Sequence, residues 1–266
     1  MIENLRNEFL FFLPCRLFAN QHPQIYSMSI QLNNILFIDI ETVPQHDGHE
    51  NLPDDWKGLW EIKASYLIRN RETETTQSIY SRAGIYAEFG KIICVSCGAI
   101  QGNGEEKKLV VKSFSGDDEK LLLYQFSEML NKWCMEGNKF LCAHNGKEFD
   151  FPYLCRRLII NNLPVPEILR LHGKRPWDVP HLDTLELWKF GDYKSYTSLD
   201  LLAHTLNIAT PKDDIDGSKV HEVYWKEKNL TRIVTYCQKD VITVAQVFLR
   251  MNGELLIKPE NVEFKN

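Results

Sequence analysis

The chain has no excess of positive charge: 31 lysines and arginines stand against 36 aspartates and glutamates, a formal net charge of −5 over 266 residues. That balance excludes a protein that coats nucleic acid by bulk electrostatics, so any polyanion site must be local. Long hydrophobic runs are also missing. The early burst Phe9 to Leu13 is far shorter than the about 20 residues of a membrane span, and Cys15-Arg16-Leu17 after it lacks the small-residue pattern of a secretory cleavage site. The seven cysteines are an odd number set mostly in apolar runs, as reduced core thiols are. Cys94 and Cys97 form a CxxC with no second pair at zinc-finger spacing, and residues three apart on a strand face opposite ways. A disulfide scaffold, a zinc module and a membrane protein are thereby set aside, and a cytoplasmic location is expected. With 44% hydrophobic residues the chain can fill one large α/β core. Residues 1–27, just before Met28, read as a poorly ordered N-terminal extension, and 28–266 as a single domain.

Ile35-Leu36-Phe37-Ile38-Asp39-Ile40-Glu41-Thr42-Val43 reads as a buried strand interrupted by two carboxylates. Side chains alternate along a strand, so Asp39 and Glu41 share a face about 7 Å apart. Such a pair repels itself unless a positive charge sits between them or the strand edge faces water. A divalent cation is the natural partner, since Mg²⁺ chooses carboxylate oxygens and bridges to phosphates.

Residues 45–90 are rich in charge, tryptophan and turn formers, and predict an insertion of one or two helices. Trp56, Trp60 and Tyr66 are the candidates to pin it to the body, the alternative being a lid. Two β-rich runs, Lys91–Ile100 and Lys107–Phe114, are separated by a turn, so the first three strands should form an antiparallel meander. Asp117 then opens a helix whose Leu122, Phe126, Met129, Leu130 and Trp133 follow the helical period.

A short run, 139–143, ends in His144-Asn145-Gly146-Lys147-Glu148-Phe149-Asp150-Phe151-Pro152. Ligands of open α/β sheets gather beyond the carboxyl ends of strands, which is where Asp150 stands, before a helix from Tyr153 to Asn161. An N-cap would look the same. The loop 163–180 carries Arg170, His172, Lys174 and Arg175 beside Trp177, a combination that can track a nucleic-acid backbone or simply face solvent. His181–Leu185 reads as a strand containing Asp183, Thr197 or Ser198 caps a helix through Leu206, and 212–217 reads as an acidic loop.

On the last long helix, Ile233, Cys237, Val241, Val244, Ala245 and Phe248 form the buried stripe, and Tyr236 and Asp240 lie four apart on a neighbouring face. Tyrosine at the core rim with an exposed aspartate would give the same pattern. Together, the carboxylates Asp39, Glu41, Asp150 and Asp240 suit two divalent ions.

Asp39-Ile40-Glu41, Asn145 through Phe149-Asp150, and Tyr236 through Asp240 resemble the three exonuclease motifs of the DEDD (DnaQ-like) superfamily, in its tyrosine subgroup. Within it the chain is most similar to stand-alone predicted 3′-to-5′ exonucleases related to the proofreading domain of family-B DNA polymerases, over roughly Ile35 to Met251. Leu187–Tyr193 and Asp216-Gly217-Ser218 also resemble that group, without an assigned task. The resemblance implies a ribonuclease H-like fold, with a five-stranded mixed sheet, its first three strands antiparallel, and helices on both faces. It implies Asp39, Glu41, Asp150 and Asp240 as ligands of two Mg²⁺ or Mn²⁺ ions, with Asp39 bridging. Tyr236 would orient the attacking water, and Thr42, Val43, Asn145 and Phe149 would hold the terminal nucleotide. The implied substrate is the 3′ end of single-stranded nucleic acid, DNA favoured over RNA, with replication or repair proteins as partners in trans. Two other readings compete. A haloacid dehalogenase-type phosphatase needs an aspartate where Glu41 stands and a closer late acidic pair than Asp192 and Asp200; a non-catalytic module of the same fold would be expected to have lost a ligand.

Overall fold

The computed structural model describes residues 31–69, 73–192, 196–209 and 215–265; the expected extension 1–27 and part of the acidic loop lie outside the described residues. The unit Gln31–Asn266 is built on β1 (Ile35–Pro44), whose Leu36, Ile38 and Ile40 belong to one core layer. β2 (Gly90–Gln101) pairs antiparallel with β1, and β3 (Lys108–Ser115) antiparallel with β2. On the other flank β4 (Phe140–Ala143) runs parallel to β1, and β5 (Leu182–Asp183) parallel to β4. These five strands have the order and directions of a ribonuclease H-like sheet. A sixth, β6 (Val262–Lys265), corrects the expected count of five: it lies parallel to β3, giving the order β5-β4-β1-β2-β3-β6. Its Val-Glu-Phe-Lys alternation is a strand pattern too short to stand out beyond the long helix that precedes it.

The insertion supplies α1 (Asp54–Leu67) and a 3₁₀ turn, Tyr80–Ile85. Trp60 is fully buried, edge-on to Tyr80 and Phe89, and its indole N–H donates to the Thr76 carbonyl at 2.7 Å. Trp56 meets Phe89 edge-on, but Tyr66, on the opposite side of the helix, is 73% exposed and pins nothing. α2 (Glu119–Trp133) begins two residues later than expected: the Asp118 carboxylate accepts the Leu121 N–H at 3.0 Å and caps it, while Asp117 accepts the Tyr224 hydroxyl at 2.7 Å. α3 (Asp150–Ile160) starts at Asp150 itself. Together α2 and α3 bury Leu122, Phe126, Leu154 and Leu158 against the Leu36, Ile38 and Ile40 face. Each such side chain contributes about 1.5–3 kcal/mol.

α4 (Thr184–Lys189) and α5 (Leu199–Thr205) follow. The strand expected over 181–185 shrinks to two residues because the Asp183 side chain accepts the N–H groups of Leu185 and Glu186 and starts α4. α6 (Val220–Trp225) and α7 (Leu230–Met251) complete the molecule. α7 crosses the second face of the sheet, where Phe37 meets Phe248 edge-on at 5.7 Å. Gly98 of β2 permits that approach, since a Cβ there would lie 2.9 Å from Val241 Cγ1. Among the described residues no helix is long and apolar enough to cross a membrane.

Candidate active site

Strand alternation sends Asp39 and Glu41 to the face that α7 covers, opposite Ser96 and Cys94 of β2. The register shifts between Glu41 and Thr42, a bulge of the kind that re-aims side chains beside sites. Ligand atoms of Asp39, Glu41 and Cys237 lie within 4.8 Å of one another. Glu41 is buried, and Oδ2 of Asp39 is buried with no hydrogen-bond partner among the described residues.

Asp150 arrives from the other side of β1. Its Oδ1 accepts the Ile40 N–H at 3.2 Å, so the first residue of α3 is fastened to the backbone between Asp39 and Glu41. The preceding turn is held by Asp183, which accepts the N–H groups of Asn145 (2.9 Å) and Lys147 (3.1 Å) as well as those of α4. Asn145 takes a left-handed φ of 62°, which asparagine tolerates better than most residues.

From α7, the Tyr236 hydroxyl bonds the Asp240 carboxylate, and the Cys237 thiol donates to the Asp39 carbonyl at 3.4 Å. Cys94, opposite Glu41 on β2, has its thiol beside the Ser96 hydroxyl at 3.6 Å.

The electrostatics of this arrangement are lopsided. Burial, then the charges of Asp240, Glu41 and Asp150, pushes the Asp39 carboxyl well above the usual carboxylate range. Burial followed by Asp240, Cys94 and Asp150 does the same to Glu41. Asp150 is pushed up to about 7 by burial and by Asp183 and Asp240, against the hydrogen bonds from its own N–H and Ile40 that favour its charged form. The Tyr236 phenol is raised by burial and by Asp240, Glu41 and Asp39, and stays protonated. Mutually repelling carboxylates around an oxygen without a donor fit a cation site. The donor set is oxygen: burial holds the Cys237 thiol well above its ordinary range, so it is no ligand for a hard cation.

Part of this cluster opens onto a cavity of about 560 Å³, which Asp150 does not itself line. Asp39, Glu41, Tyr236 and Asp240 line it, with Thr42 and Phe149. Two expected nucleotide-holding residues do not line it: the Val43 side chain is fully buried with Val223 and Tyr224, and Asn145 faces the Asp183 network. Another part of the lining was not assigned residue by residue from the sequence, where a lid is the alternative reading of the 45–90 insertion. That part consists of Ser81, Arg82, Gly84 and Ile85 from the 3₁₀ turn, and of Gly217, Ser218 and His221 around the start of α6. The basic loop stands elsewhere. Trp177, 72% exposed with Arg175 stacked on it at 4.9 Å, lines a separate cavity of about 640 Å³ with Lys147, Asp183 and Leu187. Arg175 is paired with Asp178 and Arg170 with Glu167. In the neighbouring segment, Tyr193 lies outside the described residues.

Comparison with known proteins follows the same line. No curated protein matches the chain. Among solved structures it is similar to the family B DNA polymerase from the hyperthermophilic archaeon Pyrobaculum calidifontis, at 15% identity and a TM-score of 0.44, over 84% of this chain and 26% of that one. The chain thus spans about a quarter of that polymerase's length. A family model described as a predicted 3′-5′ exonuclease related to the exonuclease domain of PolB matches residues 85–257. Asp150, Tyr236 and Asp240 fall inside the matched region, whereas Asp39, Glu41 and Arg82 precede it. The match covers well over half of the sequence, and the chain belongs to this family of predicted 3′-5′ exonucleases related to the exonuclease domain of PolB.

Proposed function

We propose that the protein is a two-metal 3′-to-5′ exonuclease that removes nucleoside monophosphates from the 3′ end of single-stranded nucleic acid, DNA in preference to RNA. The observation that carries this reading is the meeting of Asp39, Glu41 and Asp240, from β1 and α7, at one cavity beside Tyr236, with Asp150 of α3 bonded to the Ile40 N–H between the first two. Asp39, Glu41, Asp150 and Asp240 would hold two Mg²⁺ or Mn²⁺ ions. Bound there, the ions would neutralise charge on the phosphoryl oxygens and on the leaving 3′-oxygen.

The chain's own groups do the positioning. The Ile40 N–H fixes Asp150, and the Asp240 carboxylate fixes the Tyr236 hydroxyl. A phenol whose pKa is raised is not a base at neutral pH, so Tyr236 acts by orienting water through its hydroxyl. Thr42 and Phe149, which line the cavity, would contact the terminal nucleotide. A cytoplasmic setting suits the free cysteines Cys94 and Cys237 beside the site, and proteins of replication or repair would be its partners in trans.

The test is incubation of 3′- and 5′-labelled single-stranded DNA and RNA with Mg²⁺ or Mn²⁺, wild type beside Asp39→Ala. Mononucleotides should leave the 3′ end with wild type alone, DNA faster than RNA. Strands that remain intact with wild type would overturn the assignment.

A further inference from the structure

We propose that Arg82 and His221 form a phosphate-binding wall facing the carboxylates, gripping the strand's phosphodiester from the side that the acidic cluster cannot serve. The inference rests on the exonuclease reading above. A phosphodiester entering a cavity lined by three carboxylates meets repulsion, and the molecule as a whole offers no compensating positive field. The cavity must therefore supply its own donors. Among its described lining residues Arg82 is the cationic side chain. It is 51% exposed, and its ion pair with Glu74, at 3.8 Å, is longer than a hydrogen bond. Its planar fork suits two phosphate oxygens at once.

His221 adds an independent sign. The residue lines the same cavity, and its buried Nδ1 has no hydrogen-bond partner among the described residues. An oxygen admitted to that atom would give it the partner it lacks. Burial lowers the imidazole pKa, so the ring acts as a neutral hydrogen-bonding group.

Both residues are presented by anchored backbone. Gly84 packs so closely on β1 that a Cβ would lie 2.9 Å from the Val43 carbonyl carbon, and its own carbonyl accepts the Tyr153 hydroxyl at 2.6 Å. The turn bearing Arg82 is thus fixed both to the strand of Asp39 and Glu41 and to the helix of Asp150. On the other side, Asp216 accepts the Ser218 N–H at 2.9 Å and the Ser218 hydroxyl, closing the turn that leads into α6 and His221. This gives the Asp216-Gly217-Ser218 segment a task.

The experiment pairs steady-state hydrolysis with binding of a 5′-fluorescent oligothymidylate in EDTA, where no cleavage occurs, read by anisotropy at several salt concentrations. Arg82→Ala should raise KM and the metal-free Kd by about tenfold or more while leaving kcat nearly unchanged. It should also flatten the salt dependence by about 0.7 in log–log slope, one phosphate contact on a single strand. Arg82→Lys should recover the slope and part of the affinity; Arg82→Gln serves in place of alanine if that variant is unstable. His221→Ala should weaken binding without changing the slope, and His221→Asn, which can set an amide near the Nδ1 position, should restore part of it. Lys258→Ala, in a surface pair with Glu105, is the control for a charge lost elsewhere. Wild-type KM, Kd and slope in the Arg82 and His221 variants of an active enzyme would overturn the wall and leave the exonuclease reading standing. A wild type that neither binds nor cleaves the strand would overturn both.

Discussion

The backbone N–H of Ile40 donates to Oδ1 of Asp150 at 3.2 Å, joining residues 110 positions apart. One strand therefore supplies two acidic groups from its side chains and locates a third through its backbone. Asp150→Asn keeps the acceptor oxygen and removes the charge. It should lower the hydrolysis rate by about two orders of magnitude or more, while the melting temperature without metal holds or rises, because a carboxyl pushed up to about 7 is strained by its charge. A large loss of stability would contradict the placing of Asp150 as a carboxyl strained by its charge.

The acidic cluster should make stability depend on divalent ions. At 100 times Kd, Mg²⁺ or Mn²⁺ should add about 2.7 kcal/mol, a rise of several degrees in melting temperature that a chelator reverses. Asp39→Asn should remove most of that rise. Thermal melts across a metal titration provide the measurement, and an identical response in the two proteins would contradict the ligand assignment.

Asp183 accepts backbone N–H groups on both sides of the site, from Asn145 and Lys147 in the turn before α3 and from Leu185 in α4. Asp183→Ala leaves the buried Leu185 N–H and the part-buried Asn145 and Lys147 N–H groups without this acceptor and should cost about 3 kcal/mol. Activity should fall further than stability explains, because Asp150 stands at the end of that turn; chemical denaturation and hydrolysis rates, measured at a temperature where the variant is folded, separate the two effects.

His181 governs acid sensitivity. Its Nε2–H donates to the Ile168 carbonyl at 2.8 Å and its Nδ1 accepts the Leu141 N–H, so the buried ring is neutral, with a pKa lowered from 6.5 to about 4 by burial. Below pH 6.5 the unfolded chain takes up a proton that the folded ring refuses until about pH 4. The stabilisation is complete above 6.5 and is lost as pH falls toward 4, a change of about 3 kcal/mol. His181→Gln should flatten the stability profile over that interval in urea melts; parallel profiles would exclude this group as the source.

Gly84 is the point where the Arg82 turn meets β1. Gly84→Ala places a methyl group against the Val43 and Pro44 backbone region. It should destabilise the fold by about 1–3 kcal/mol and weaken strand binding along with it. Hydrogen exchange should report the loosening at residues 80–85 rather than across the sheet.

What could be read in the sequence was what local chemistry marks. Asp39 and Glu41 break an apolar run at strand spacing, and Tyr236 and Asp240 stand four apart beside a helical stripe, so their faces were legible. Asp150 was legible as the end of a strand, though not its bond to Ile40, which links distant segments. Arg82 and His221 sit in polar surroundings that resemble any solvated surface; only the packing of Gly84 on β1 and the turn at Asp216 bring them to the cavity. Val43 was misplaced because the bulge after Glu41 and the covering of α6 bury its side chain. The strand at 181–185 was too long because Asp183 bonds four backbone N–H groups and ends it.

The outermost strands carry one more consequence. An open sheet presents unpaired peptide groups at each margin, which invite a second molecule to add on. Here one margin is the two residues of β5 and the other the four of β6, where Glu263 pairs with Lys108. Such brief, charged borders offer little template for edge-to-edge stacking, so the protein should resist fibril formation at concentrations where a long bare β3 would not.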